Sequence, residues 1–162
     1  MNFSDTKLLK LSQKIKESNI AGKLISVAES CTGGMLGASL TEIPGSSRYF
    51  CEGIVCYSNE AKHRLLDVTL ATLDKFGAVS EETAVEMAIG SLKNAGSNLA
   101  ISITGIAGPD GGSASKPVGS VCFAVVTTKN KTKSYSFVFQ GNRSQVRYQS
   151  CLKGLELILE NI

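Results

Sequence analysis

Apolar positions along this chain repeat with two different periods, and the switches between them mark out the predicted elements. Leu8, Leu11 and Ile15 fall at helical steps over about 4–19, with lysines on the other side, and Ala21-Gly22 ends that helix. Leu24-Ile25-Ser26-Val27-Ala28 reads as a strand, followed by a helix that Thr32 opens and that runs to about Thr41. Residues 43–47 form a predicted loop. Residues 49–57 read as a strand with a bend or bulge at Gly53.

A helical region in at least two pieces comes next. Ser58 or Asn59 caps the first, which carries Lys62, Leu65 and Leu66. Ser80-Glu81-Glu82 starts the second with acidic residues that complement the helix dipole, and Val85, Ala88, Ile89 and Leu92 are its expected buried face. Residues 99–104 form a short, nearly continuous apolar strand, the pattern of burial on both faces. A long Gly/Pro/Ser loop covers 105–119. Residues 120–128 and 132–139 pair as a hairpin across a basic turn, and Leu152, Leu155, Leu159 and Ile162 give a closing helix. Helices alternating with strands, plus one hairpin, predict an α/β fold: a three-layer α/β/α sandwich with a mixed sheet, as a single domain over 1–162.

Composition narrows the function classes. The 162 residues are 43% hydrophobic and 19% charged, as in an ordinary soluble globular protein. A net charge of +3 is too small to imply a nucleic-acid partner, and the basic run Lys129-Asn130-Lys131-Thr132-Lys133 fits a solvated turn. Five cysteines, no C-x-x-C and one histidine (His63) argue against a zinc site and against a disulfide framework, so no metal is expected. No apolar run reaches about 18 residues, and the N-terminus lacks a continuous apolar stretch. No membrane partner and no signal peptide are therefore expected, and the location is expected to be cytoplasmic.

The chemistry concentrates in Ala28-Glu29-Ser30-Cys31-Thr32-Gly33-Gly34, a strand-to-helix turn that puts Ser30 at the C-terminal edge of its strand, where open α/β sheets bind ligands. Gly33 and Gly34 let the backbone approach a ligand, and the amides from Cys31 to Gly34 can hold an oxyanion beside a nucleophile. Ser30 or Thr32 can equally serve as a helix cap, and the heptapeptide alone leaves both readings open. It matches neither the P-loop nor G-x-S-x-G. Cys31 is an alternative nucleophile, but it would have to recruit His63.

A serine hydroxyl needs a base. Lys62 lies in the first turn of the helix after Tyr57-Ser58-Asn59-Glu60-Ala61, where the helix dipole and partial burial both disfavour the ammonium form. A solvated surface lysine is the plain alternative. His63 points elsewhere, because adjacent helix residues do not share a face. Tyr57 is placed to hydrogen-bond Ser30 or Lys62, or to sit as an amphipathic residue at the core edge. The loop Thr104-Gly105-Ile106-Ala107-Gly108-Pro109-Asp110-Gly111-Gly112 can form an anion-binding nest of amides, with Lys116 and Arg143 as charge partners. Thr104 can position a substrate amide or a water. Asn142 is a candidate N-cap that would set Arg143 at a helix entrance on the same edge.

Taken in order, these segments together with Gly77-Ala78-Val79-Ser80 and Lys116-Pro117-Val118-Gly119 resemble the C-terminal domain family of the competence-damage protein CinA, from about Gly22 to the last helix. Stand-alone members of that family are nicotinamide-mononucleotide deamidases. The resemblance implies hydrolysis of the carboxamide of nicotinamide mononucleotide to nicotinate mononucleotide and ammonia. It also implies a serine–lysine mechanism without metal or cofactor, and a homodimer or larger homo-oligomer. Matched by motif, Ser30 is implied as nucleophile and Lys62 as its base, with Tyr57, Thr104 and Arg143 in the catalytic or substrate-contacting set. Thr32, Gly33, Gly34, Gly105, Gly108, Asp110 and Gly111 would help hold the nucleotide, and capping of the second helix then passes to Thr32. The family often has Gly-Asp-Arg where this chain has Gly141-Asn142-Arg143, and Cys51, Cys56 and Cys122 replace other small or apolar residues. The additional N-terminal domain of the longer CinA proteins is expected to be absent here. Two alternatives remain: a non-catalytic nucleotide-binding module of the same fold, and an amidase for a related pyridine nucleotide.

Overall fold

In a computed structural model that describes residues 6–19, 21–129 and 131–162, the apolar repeats become five strands and six α-helices. In chain order these are α1 (Thr6–Ser18), β1 (Ile25–Glu29), α2 (Met35–Thr41), β2 (Phe50–Val55), α3 (Asn59–Leu66), α4 (Leu70–Phe76), α5 (Glu81–Ala95), β3 (Leu99–Gly105), β4 (Ser120–Thr127), β5 (Thr132–Val138) and α6 (Arg143–Leu159). A short 3-10 turn, Ser46–Arg48, occupies part of the expected loop before β2. The predicted start of α1 at Ser4 and the hairpin-turn residue Asn130 lie outside the described residues.

The sheet order is β2-β1-β3-β4-β5, with β1 parallel to both neighbours and the β3–β4 and β4–β5 pairs antiparallel. It is the mixed sheet of an α/β/α sandwich, and its two faces carry different side chains. Ile25, Val27, Ile101, Ile103, Phe123 and Val125 pack under α1, α2 and α6 in the main core. The opposite face is small or polar, with Ser26, Ala28, Ala100, Ser102, Ala124 and Val126, and α5 lies on it. A helix can approach such a face only with small residues of its own, so α5 buries Ala84, Met87, Ala88, Gly90 and Ser91. Of its predicted face, Ala88 is buried while Ile89 is 47% exposed. The serine hydroxyls buried between this face and α5 are paired: Ser91 donates to Ser26 and Ser102 to the Ala84 carbonyl.

The bulge expected at Gly53 falls elsewhere: Gly53 pairs with Val27 in register, and the register shift lies at Cys51, between the pairs Ile25–Phe50 and Ser26–Glu52. A Cβ at 53 would fit tightly, 3.2 Å from the Phe50 ring and 3.3 Å from Val27 Cγ2. Among the described residues no helix is long and apolar enough to cross a membrane.

Two connections set the site. The chain leaves β1 through α2 on one face of the sheet and leaves β2 through α3, α4 and α5 on the other. In a sheet of this order the connections diverge between β1 and β3, and such a switch point opens a crevice outside the C-terminal ends of those two strands. Ser30 follows β1 and stands at that crevice, and Tyr57 follows β2 at the same edge of the sheet.

Candidate active site

Ser30 is anchored as a one-residue extension of β1. Its N–H donates to the Ile103 carbonyl at 2.9 Å, while the Glu29 carbonyl accepts from Cys56 N–H at 2.9 Å. Ser30 is buried, with only 7% of its surface exposed.

Lys62 comes to it from α3. Ser58 caps that helix by accepting from Ala61 N–H, which directs the first turn against the end of β1. Lys62 is only 1% exposed, and its Nζ donates to Ser30 Oγ at 3.0 Å, to the Cys56 carbonyl at 3.1 Å and to the Tyr57 carbonyl at 3.4 Å. No carboxylate lies at ion-pairing distance from it among the described residues. Burial therefore pushes the Lys62 pKa below the ordinary lysine value, against the opposing influence of Cys56 and Cys31.

The other nucleophile has no such support. Burial pushes the Cys31 thiol up to about 12, so it stays protonated at neutral pH. His63 turns its Nδ1 to the Val68 carbonyl at 2.8 Å, at the far end of α3.

The structure corrects the expected capping of α2. Neither Ser30 nor Thr32 caps the helix: Gly34 is the N-cap residue, without a side-chain cap. Thr32 is fully buried, and its Oγ1 has no hydrogen-bond partner among the described residues. The orphan amides are taken instead by Glu29, whose buried carboxylate accepts from Gly34, Leu36 and Gly37 N–H at 3.0, 3.1 and 2.8 Å. A carboxylate at a helix N-terminus also complements the dipole. The Gly33 N–H is held by the Ser30 carbonyl. Of the four amides expected to face an oxyanion, those of Cys31 and Thr32 remain free of hydrogen bonds to other described residues.

Two arginines on α6 tie the crevice together. Asn142 caps α6 in a full capping box, so asparagine serves where the family often has aspartate. Arg143 donates to the Gly108 carbonyl at 2.8 Å and to Tyr57 Oη at 2.7 Å. Tyr57 is 59% exposed at the rim, and its phenol meets Arg143 instead of Ser30 or Lys62. Arg147 donates to the Cys31 and Thr32 carbonyls. Its place four residues after Arg143 was the one available signal for it.

The remaining predicted residues divide. Thr104 is buried next to Ile103 and donates to the Ala78 carbonyl at 2.7 Å, which turns it toward α5. Gly105 is enforced by packing, because a Cβ there would lie 2.7 Å from Val121. The glycine loop is fastened at its base by Ile106 N–H to Ser120 and Gly119 N–H to Ile106, and Asp110 and Gly111 are exposed at its tip. Lys116 is not in the crevice. Its Nζ donates to the Phe76 carbonyl at 2.7 Å, beside a separate cavity of about 570 Å³ lined by Val79, Glu82, Cys122 and Val138.

Comparison with known proteins fits this arrangement. The CinA C-terminal domain family matches residues 8–162. The nicotinamide-nucleotide amidohydrolase PncC of Shigella flexneri is 46% identical over 157 residues, covering 96% of this chain and 95% of that protein. A CinA-like protein of Geotalea uraniireducens is 53% identical over 126 residues, covering 78% of this chain; the match spans only 30% of that longer protein. Among solved structures, the competence/damage inducible protein CihA from Agrobacterium tumefaciens superposes with a TM-score of 0.95 at 38% identity, covering 99% of this chain and 98% of that one. The chain belongs to the CinA C-terminal domain family.

Proposed function

We propose that this protein is a nicotinamide-nucleotide amidohydrolase that converts nicotinamide mononucleotide to nicotinate mononucleotide and ammonia through a Ser30–Lys62 pair. The observation that carries the reading is the buried Lys62 Nζ, 3.0 Å from Ser30 Oγ and without a carboxylate partner among the described residues. The PncC relatives, alike over nearly their whole length, supply the substrate.

In the neutral amine, two N–H groups stay on the Cys56 and Tyr57 carbonyls and the lone pair faces Ser30. The serine hydroxyl then becomes the donor. As Ser30 Oγ attacks the carboxamide carbon, its proton passes to Lys62, and the amides of Cys31 and Thr32 hold the oxyanion. Each such donor is worth about 3 kcal/mol in the transition state. Protonated Lys62 next delivers its proton to the departing ammonia, and the same amine activates the water that cleaves the acyl-enzyme.

Arg143 and the loop amides of Ala107, Gly108 and Gly111 are suited to the anionic end of the nucleotide. The protein is proposed to work in the cytoplasm as a homodimer or larger assembly. Incubation with nicotinamide mononucleotide and an ammonia assay tests the substrate. Saturable binding without ammonia would instead mark a non-catalytic nucleotide module, and neither result would point to a different amide.

A further inference from the structure

Arg147 lies one helical turn beyond Arg143, so both side chains leave the same face of α6 at the edge that holds Ser30. Its half-buried guanidinium donates from Nε to the Cys31 carbonyl at 3.1 Å and from Nη2 to the Thr32 carbonyl at 2.8 Å. Within a trans peptide unit the carbonyl and the amide point in opposite directions across a rigid plane. Holding the Cys31 carbonyl toward α6 therefore aims the Thr32 N–H away from α6. The next unit is held at both ends, by Arg147 on the Thr32 carbonyl and by the Ser30 carbonyl on Gly33 N–H.

This turn needs such a hold. Gly33 and Gly34 have φ values of 60° and 91°, where glycine moves easily, and Thr32 Oγ1 contributes no hydrogen bond among the described residues. We propose that Arg147 is a positioning residue that fixes the Thr32 amide as an oxyanion donor beside Ser30. The inference rests on the reading of Ser30 as an acyl-transfer nucleophile. It makes Arg147 matter for the rate of bond formation and not for nucleotide binding.

The test compares wild type, Arg147→Ala and Arg147→Lys by two readouts: turnover of nicotinamide mononucleotide, and covalent labelling of Ser30 by an alkyl fluorophosphonate. In the labelling, Ser30 Oγ bonds to phosphorus, fluoride leaves with the P–F electron pair, and the proton passes to Lys62. The phosphoryl oxygen occupies the oxyanion position, so no nicotinamide is required.

Arg147→Ala is expected to lower kcat and the labelling rate together by about 10- to 100-fold, with KM unchanged. Guanidinium chloride below denaturing concentration should restore part of both rates. Arg147→Lys, a point donor in place of a planar fork, should fall between, and it carries the comparison if the alanine variant does not fold. Full-rate labelling in the variants, a change confined to KM, or a wild type unlabelled at Ser30 would overturn the inference. A wild type labelled at Ser30 and slowed in the variants, yet releasing no ammonia, would support this inference while refuting the proposed substrate.

Discussion

Lys62 Nζ, from the first turn of α3, lies 3.0 Å from Ser30 Oγ at the C-terminal end of β1. Burial lowers the Lys62 pKa, so a base is available to a serine in a protein with a single histidine.

The pH dependence follows from that shift. Turnover needs the neutral amine, so kcat/KM should rise with pH through an apparent pKa below 10.5, the value of an unperturbed lysine. Stability follows the same group. Between the lowered folded value and 10.5 the unfolded chain binds a proton that the folded protein does not, so rising pH stabilises the fold across that window. Below the window both states are protonated and the dependence vanishes. Lys62→Met, which carries no charge, should lose turnover by at least about 10²-fold. Its stability relative to wild type should decline as pH rises through the window, as denaturant titrations at several pH values would show.

Cys31 is expected to be dispensable for chemistry. With its thiol pushed up to about 12 and its side chain buried, Cys31→Ala should retain wild-type kcat in the ammonia assay. Loss of turnover in a folded Cys31→Ala protein would move the nucleophile to this residue.

Tyr57 separates rim from centre. Its phenol accepts from Arg143 and touches neither Ser30 nor Lys62, so Tyr57→Phe should raise KM by about fivefold, one hydrogen bond's worth, and leave kcat nearly intact. Steady-state kinetics that showed the reverse would place the phenol in the chemical step.

Glu29 holds the start of α2. Glu29→Gln keeps one acceptor oxygen but turns an NH₂ group toward amides that need an acceptor, in a fully buried position. A loss of about 2–3 kcal/mol in chemical denaturation is expected.

The layer order and the strand edge that carries Ser30 could be read from the sequence because they depend on local periodicity. What could not be read depends on distance in the fold. Ser30 and Thr32 are the caps that residue type suggests, and only the direction in which β1 delivers the Glu29 side chain gives the helix amides to Glu29 instead. Ile89 differs for a similar reason: its hydrophobicity suggests burial, but the face of α5 turned to the small residues of β3 and β4 is filled by Ala84, Ala88 and Ser91, which leaves Ile89 exposed. Arg147 is one arginine among several in sequence, and its role appears only when α6 is packed beside the Ser30 turn.

The most direct test of the account is the rate of ammonia release from nicotinamide mononucleotide by wild type and by Ser30→Ala. Wild type should release ammonia, and the variant should release none while keeping its folded stability and its binding of the nucleotide. Ammonia released by Ser30→Ala at the wild-type rate would contradict the account.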